Sequence, residues 1–142
     1  MAELRDVLPL LSLIRDHAAF EQAVATINAD RLQELLATHP APVELIVAEG
    51  AGGLIGFAAL TIDFSLWRGS LWGHLDCLFV CEDQPGSGLG QNLFDCAARR
   101  ARDRGADRLE WQTPAWNRAA IRFYERQRAA CAPKMRFSLL LE

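Results

Sequence analysis

Residues 78–91 have the sequence Leu-Phe-Val-Cys-Glu-Asp-Gln-Pro-Gly-Ser-Gly-Leu-Gly-Gln, in which an apolar strand runs into alternating glycines and a helix start. The glycines, Gly86, Gly88 and Gly90, allow a turn that exposes successive backbone N–H groups. The helix adds N–H donors without intrahelical acceptors and a partial positive charge at its first residues. This combination predicts a site for a phosphate group, and a pyrophosphate is the natural ligand.

Two common phosphate loops do not fit this segment. No lysine follows the glycines, so the G-x-x-x-x-G-K-[ST] pattern is absent. Gln91 stands where the dinucleotide fingerprint G-x-G-x-x-G needs its third glycine. A glycine-rich turn that binds no ligand stays open as an alternative.

The rest of the chain predicts one α/β (α+β) domain over residues 1–142, with a mixed, mostly antiparallel sheet flanked by helices. The predicted helices are two within 4–36, then 89–104 and 117–128. The predicted strands are 43–49, 54–62, 71–81, 108–113 and 135–141, with a glycine turn between the first two and a loop over 63–69. Helix-forming sequence begins within the first few residues, so a first strand ahead of these helices is missing.

The bulk properties exclude several classes of protein. The 142 residues carry a net charge of −3, which gives no general electrostatic surface for nucleic acid. No apolar run approaches the ~20 residues that span a membrane, and the N-terminus lacks signal-peptide features, so a cytoplasmic protein is expected. The four cysteines form no C-x-x-C pair, and the histidines are far apart, so no metal site is expected.

Three blocks of sequence resemble the GNAT superfamily of N-acetyltransferases. Val80, residues 86–90 (Gly-Ser-Gly-Leu-Gly) and Leu93 resemble the acetyl-CoA-binding motif of that superfamily. Residues 109–117 (Leu-Glu-Trp-Gln-Thr-Pro-Ala-Trp-Asn) and 120–125 (Ala-Ile-Arg-Phe-Tyr-Glu) resemble its second conserved block. Residues 64–69 (Phe-Ser-Leu-Trp-Arg-Gly), followed by 75–80 (Leu-Asp-Cys-Leu-Phe-Val), are similar to the diamine and thialysine acetyltransferase branch.

This resemblance, which covers roughly residues 4 to 130, implies acetyl transfer from acetyl-CoA to a small-molecule amine by a homodimer. It implies cofactor contacts at Leu78, Phe79 and Val80 for the pantetheine arm, at Gly86, Ser87, Gly88, Leu89, Gly90 and Gln91 for the pyrophosphate, and at Asn117, Arg118, Ala119, Ala120 and Arg126. It further implies that Tyr124 is the general acid that protonates the thiolate of CoA. Acceptor-side positions are Asp76, Glu110, Trp111 and Gln112.

Each of these residues also has a purely structural interpretation. Tyr124 can be a core tyrosine, although its hydroxyl is able to donate a proton at neutral pH. Asn117 is a common helix N-cap, a role compatible with cofactor binding. Asp76 is costly to bury alone, so it is either a partner of an arginine or a catalytic carboxylate that attracts a cationic amine and helps to remove its proton, directly or through water. Glu110 can be a solvent-facing strand acid, and the tryptophans are more often core anchors than cation–π cages for an amine.

The chain departs from the family pattern at several positions. Pro85 stands in place of an arginine, Cys77 in place of a second acid, and Arg128 in place of a glycine. These departures keep two other functions open, a non-catalytic acyl-CoA-binding or interaction module and a nucleotide-binding regulator. For the enzyme, direct transfer is expected, because neither Cys77 nor Cys81 has a base placed to make it a nucleophile.

Overall fold

The structure, a computed structural model, describes residues 1–81 and 88–141, and the chain divides into two compact units, Met1–Gln112 and Thr113–Glu142. The elements of the first unit are a 3₁₀ turn (Leu4–Asp6), α1 (Val7–Phe20), α2 (Ala29–Ala37), β1 (Glu44–Gly50), β2 (Gly53–Ser65), β3 (Ser70–Val80), α3 (Leu89–Asp103) and β4 (Leu109–Trp111). The second unit contains α4 (Arg118–Arg126). That the 142 residues make one domain stays a prediction.

The two N-terminal helices are separated by a non-helical segment, residues 21–28. Gln22 has a φ of 60°, a left-handed conformation typical of the residue that ends a helix. Asn28 starts α2, because its Oδ1 accepts a hydrogen bond from the backbone N–H of Arg31 at 2.8 Å. Val24 lies in this connection and is exposed.

The sheet has the strand order β1-β2-β3-β4. The first three strands are antiparallel, and β4 is parallel to β3. The predicted hairpin between β1 and β2 is confirmed, and Gly53 in its turn has a φ of 127°. β2 and β3 pair further than predicted, so that the loop between them shrinks to residues 66–69. This open, mostly antiparallel sheet flanked by helices confirms the predicted fold class.

The sheet lies between two helical layers. Phe57 of β2 is buried with Leu10 of α1 and Leu32 of α2. Its neighbour Gly56 faces α3, since a Cβ on Gly56 would lie 3.2 Å from the Leu93 side chain. Successive residues of a strand point to opposite faces, so α1 and α2 cover one face and α3 covers the other.

Glu44 fastens α3 to the edge of the sheet. This residue is only 8% exposed, and its carboxylate accepts hydrogen bonds from Arg100 Nε and, at 2.6 Å, from Arg104 Nη1. A buried charge is tolerated when it is paired in this way. The two charge-assisted bonds therefore fix the C-terminal half of α3 on β1.

The strand β1 forms one edge of the sheet, and no strand within residues 1–81 and 88–141 lies outside it. The missing first strand is thus as predicted. Within the described residues, the N-terminal segment forms a backbone hydrogen bond to this strand: the N–H of Ala2 donates to the Leu45 carbonyl at 2.8 Å.

The second unit has less regular structure than predicted. Residues 135–141 form no strand, so the prediction of a last strand there is wrong. The segment alternates apolar and polar residues at first, but its side chains are exposed, as Phe137 (88%) and Leu140 (95%) illustrate. A strand needs a neighbour to accept its backbone hydrogen bonds, and this segment pairs with no described strand. None of the described helices has the length and apolar character of a membrane span.

Candidate active site

The C-terminal half of β3 extends beyond its parallel neighbour. Pairing with β4 ends where Leu75 lies opposite Trp111, whereas β3 continues to Val80. On this side no strand of the described residues pairs with residues 76–80, so alternate backbone N–H and C=O groups face away from β2. The predicted pantetheine contacts, residues 78–80, lie in this segment, where an extended arm with amide groups can pair as an added strand does.

The N-terminal turns of α3 lie over this end of β3. The close approach is seen at Gly56 of β2, where a Cβ would lie 3.2 Å from Leu93 of α3 and 3.3 Å from Val80 of β3. The same point is 2.8 Å from the Phe79 carbonyl oxygen. A glycine at this position therefore allows helix and strand to approach, and it brings the start of α3 to the predicted pantetheine segment.

The helix α3 begins at a glycine in a left-handed conformation. Gly88 is the N-cap with a φ of 70°, and no atom of residues 1–81 or 88–141 lies within 4 Å of the position a Cβ would take. The first turn has no acidic side chain, and it contains three predicted pyrophosphate contacts: Leu89, Gly90 and Gln91. The helix dipole makes this end attractive to an anion. Two other predicted contacts, Gly86 and Ser87, lie outside the described residues.

A β-bulge places Asp76. Ala59 of β2 pairs with Cys77 and Leu60 pairs with Leu75, so Asp76 is an extra residue in β3. Asp76 Oδ2 lies 3.7 Å from Cys77 Sγ, a contact that regular alternation of side chains would prevent. Since Cys77 packs against the core under α1, the exposed Asp76 carboxylate turns to the α1 side of the sheet.

The Cys77 thiol is held in its protonated form. Burial, the nearby charge of Asp76 and that of Glu21 raise the pKa of Cys77 to about 12. The thiolate is the nucleophilic form of cysteine, so Cys77 is unsuited to covalent catalysis at neutral pH.

Glu110 and Asp76 differ in their partners. Arg68 lies with Nη1 3.5 Å from Glu110 Oε1 and with Nε 3.5 Å from Asp107 Oδ2. A hydrogen bond from Ser70 Oγ, at 2.7 Å, is the main reason that the pKa of Asp107 is lowered. Among the described residues, no cationic side chain forms an ion pair with Asp76. Asp76 is therefore the better placed of the two predicted acids to attract a cationic substrate.

Trp111, another predicted acceptor-side residue, lies on the other face of the sheet from Glu110. The Trp111 ring meets Phe94 of α3 edge to face, with centroids 5.2 Å apart, so it anchors the core on that face. Glu110 precedes it in β4 and points to the opposite face. Gln112, the last residue of the first unit, is exposed.

The predicted residues of the second unit lie on or next to α4. Asn117 caps this helix, because its Oδ1 accepts a hydrogen bond from the Ala120 backbone N–H at 3.1 Å. Arg118 and Ala119 are exposed in the first turn. Tyr124 is half-buried, and its ring contacts Phe123 with a centroid distance of 5.2 Å. The Arg126 guanidinium lies over the same Phe123 ring, at 5.9 Å.

Sequence reasoning missed two residues, Arg68 and His17, which contact Glu110 and Phe79 respectively. Arg68 belongs to the segment 64–69 that resembles the family, but nothing in the sequence pairs it with Glu110. The His17 ring stacks on Phe79 at a centroid distance of 5.2 Å. Its signal is faint, a polar residue on an otherwise apolar face of α1.

Comparison with known proteins gives a consistent result. Residues 10–129 match the family model described as acetyltransferase (GNAT) family. A thialysine N-epsilon-acetyltransferase of Caenorhabditis elegans is 31% identical over 121 residues, which cover 82% of this chain and 72% of the worm protein.

Solved structures share the fold over 99% of the chain. A ribosomal-protein-alanine N-acetyltransferase from Brucella melitensis biovar Abortus 2308 superposes with a TM-score of 0.74 at 24% identity, over 96% of its own chain. An aminoglycoside acetyltransferase from an uncultured soil metagenomic sample superposes with a TM-score of 0.81 at 17% identity, over 93% of its chain. The names of these proteins differ in the acceptor, so the shared fold carries no acceptor identity.

Proposed function

Since this chain belongs to the acetyltransferase (GNAT) family, we propose that it transfers the acetyl group of acetyl-CoA to a primary amine of a small molecule. The observation that carries the proposal is the unpaired end of β3 beneath the first turns of α3. The unpaired strand can bind an extended arm of the ligand, and the start of α3 can bind an anionic group of the same ligand.

The described residues fit acetyl-CoA. The open backbone edge at residues 78–80 suits the pantetheine amides, and a glycine N-cap at Gly88, with no described atom near its missing Cβ, suits close approach of a phosphate. We assign residues 86–91 to the pyrophosphate, and we keep residues 117–120 and Arg126 as further proposed cofactor contacts. Bound acetyl-CoA supplies an activated thioester, and no metal is assigned a role.

Asp76 and Tyr124 are the residues to which we assign chemical roles. The exposed Asp76 carboxylate attracts a cationic amine and holds it beside the unpaired strand. Backbone N–H groups of β3 polarise the acetyl carbonyl while the neutral amine attacks it. Tyr124 donates its hydroxyl proton to the sulfur that leaves. The acceptor is bound and oriented throughout, which removes much of the entropy cost of bringing two reactants together.

The acceptor class is proposed from charge and from similarity. The C. elegans relative is named for thialysine, and the exposed Asp76 carboxylate, which forms no ion pair with a described cation, suits an amine of that kind. Cys77, protonated, cannot act as the second acid that the diamine branch has at this position. We also propose a homodimer, which would give the exposed apolar segment 135–141 a surface to cover it.

A thiol-release assay tests the proposal. Acetyl-CoA is incubated with a panel of amines that includes thialysine, diamines, small monoamines and peptide N-termini, and free CoA is measured. We expect release with at least one small amine and, for Tyr124→Phe, a ~10²–10⁴-fold lower kcat with acetyl-CoA affinity unchanged, because only the proton donor is lost.

Each contrary outcome points to a definite alternative. Saturable acetyl-CoA binding without thiol release for any amine would indicate a non-catalytic acyl-CoA-binding module. Tighter binding of ATP or NAD than of CoA would indicate a nucleotide-binding regulator. Normal turnover by Tyr124→Phe would remove the role of this tyrosine alone.

A further inference from the structure

The face of the sheet that carries Asp76 changes character along the strands. Ala59 and Cys77 still belong to the apolar cluster beneath α1 and α2. Beyond them, towards the β2–β3 loop, the residues on this face are polar or amphipathic and partly or fully exposed: Thr61, Asp63, Trp72, His74 and Glu110. All of them, like Asp76, belong to the first unit. An amine held at Asp76 therefore has this polar face beside it.

The strand register places Glu110 within reach of a ligand at Asp76. Glu110 of β4 lies opposite His74 of β3, and Asp76 is two residues further along β3 on the same face. A rise of about 3.3 Å per residue and a spacing of about 4.8 Å between strands put the Cα atoms of Asp76 and Glu110 about 8 Å apart. Two cationic groups joined by a short aliphatic chain could therefore meet one of these carboxylates each.

Arg68 changes what a second cation would meet at Glu110. Its Nη1 lies 3.5 Å from Glu110 Oε1, and its Nε lies 3.5 Å from Asp107 Oδ2. Arg108 Nε lies 3.2 Å from the other carboxylate oxygen of Asp107. These two arginines and two acids together carry no net charge. The charge of Glu110 is thus compensated, and the Arg68 guanidinium occupies a position that a ligand ammonium group would otherwise take.

Asp63 is another acid on this face, but it lies further from Asp76. It is opposite Trp72, which is four residues from Asp76 along β3. The Cα atoms of Asp63 and Asp76 are therefore about 14 Å apart. A short diamine bound at Asp76 does not span this distance, so Asp63 does not replace Glu110 as a partner for its second ammonium group.

Glu21 is an acid on the other side of Asp76. It follows directly after α1, and its Oε1 lies 3.5 Å from His17 Nε2. On this side the helix α1 and its apolar cluster cover the sheet. The chain of a bound amine therefore extends over the polar face and not beneath α1. Glu110 is then the acid that decides whether a second cation is attracted.

We propose that Arg68 is a specificity-determining residue, which makes the acceptor site favour an amine with one positive charge over a diamine of similar length. The inference rests on the proposed acetyl transfer, with Asp76 as the anchor of the reacting amine. Asp76 attracts the reacting end of either substrate. The second ammonium group of a diamine meets the Arg68–Glu110 pair, which offers no net attraction in exchange for the water that the ammonium group leaves. An uncharged chain end has no such loss.

The test compares butylamine with diaminobutane, which have the same carbon chain and differ by one ammonium group. The kcat/KM of each is measured for wild type and Arg68→Gln at a fixed pH and low salt. We expect Arg68→Gln to raise the ratio of kcat/KM for diaminobutane to that for butylamine about 3–10-fold, because Glu110 is then free to attract the second ammonium group. Added salt should reduce this gain.

Three further variants identify the cause. Arg68→Gln combined with Glu110→Gln should return the ratio to its wild-type value, because the attracting charge is then removed together with the compensating one. Arg68→Lys keeps the positive charge and should keep the wild-type ratio. Asp63→Asn combined with Arg68→Gln is the matched control, since it removes another exposed acid of the same face, and the gain should persist.

The inference is overturned if Arg68→Gln leaves the ratio unchanged, or if both amines lose activity equally, as expected of a residue that only fastens the loop to β4. A gain that survives the loss of Glu110 overturns it as well. If Arg68→Gln does not fold, Arg68→Met, which keeps an apolar stem, takes its place. If wild type acetylates another amine only, the inhibition constants of butylamine and diaminobutane against that amine give the ratio. A wild-type protein that acetylates no amine would instead be a failure of the proposed function itself.

Discussion

Replacing Gly88 by valine should weaken acetyl-CoA binding about 5–30-fold. The φ of 70° at Gly88 costs an L-residue about 1–2 kcal/mol, and a β-branched one no less. No atom of the described residues lies within 4 Å of the new Cβ, so the expected cost is conformational. We expect the substituted residue to leave the left-handed conformation, which the ligand must then restore to meet the N–H groups. That 1–2 kcal/mol then corresponds to a factor of about 5–30 in Kd.

Gly105→Val provides the matched control at the other end of α3. Gly105 has a φ of 81° and equally little around its Cβ position, with Leu71 at 3.9 Å. It is held by helix-ending hydrogen bonds from its own N–H to Arg102 and from Ala106 to Ala101. Its strain should therefore lower the free energy of unfolding in urea by about 1–2 kcal/mol and leave binding intact. An acetyl-CoA Kd for Gly88→Val equal to those of wild type and Gly105→Val, by calorimetry, would falsify the assignment of the turn.

The remaining predictions concern charge, protonation and backbone strain. Asp76→Asn should raise the KM for a cationic amine and make this KM less sensitive to salt. Glu110→Gln should change the KM less, because the Glu110 carboxylate already pairs with Arg68. Equal effects of the two substitutions would contradict the choice of Asp76 as the anchor. Folding raises the pKa of Cys77 from 9.0 to about 12, so the protonated thiol contributes to stability fully below pH 9. This contribution is lost as the pH rises towards 12. Urea unfolding of Cys77→Ala measured at several pH values should therefore show a smaller loss of stability over this range. Arg128 has a φ of 58° just after α4, so Arg128→Gly should raise the free energy of unfolding by about 1 kcal/mol; a loss would show that the residue is not left-handed in solution.

The elements that the sequence predicted correctly are those with local signals. The β1–β2 hairpin follows from a cluster of glycines between two apolar runs, and α3 follows from its helical spacing between Gly88 and Gly105. The segment 135–141 has an equally clear strand pattern, yet it forms no strand. Its conformation depends on a pairing partner, and the sequence of the segment contains no information about that partner.

The site itself stays a prediction, which follows from motifs in the sequence. What the structure describes of it is the start of α3 at Gly88 and the unpaired end of β3. The ion pair between Arg68 and Glu110, and the contact of His17 with Phe79, each join elements far apart in sequence. Such contacts depend on how strands align, and a single sequence does not contain that alignment.

The β-bulge at Asp76 makes deletion of this residue a different event from its substitution. Substitution changes one functional group and leaves the strand as it is. Deletion would remove the bulge itself, since Cys77 would follow Leu75 directly and both residues could keep their partners, Ala59 and Leu60. Phe79 would still point to the α1 side and Val80 to the α3 side. Among related chains, this position should therefore tolerate the loss of one residue better than its neighbours in β3, whose loss would reverse the facing of the strand.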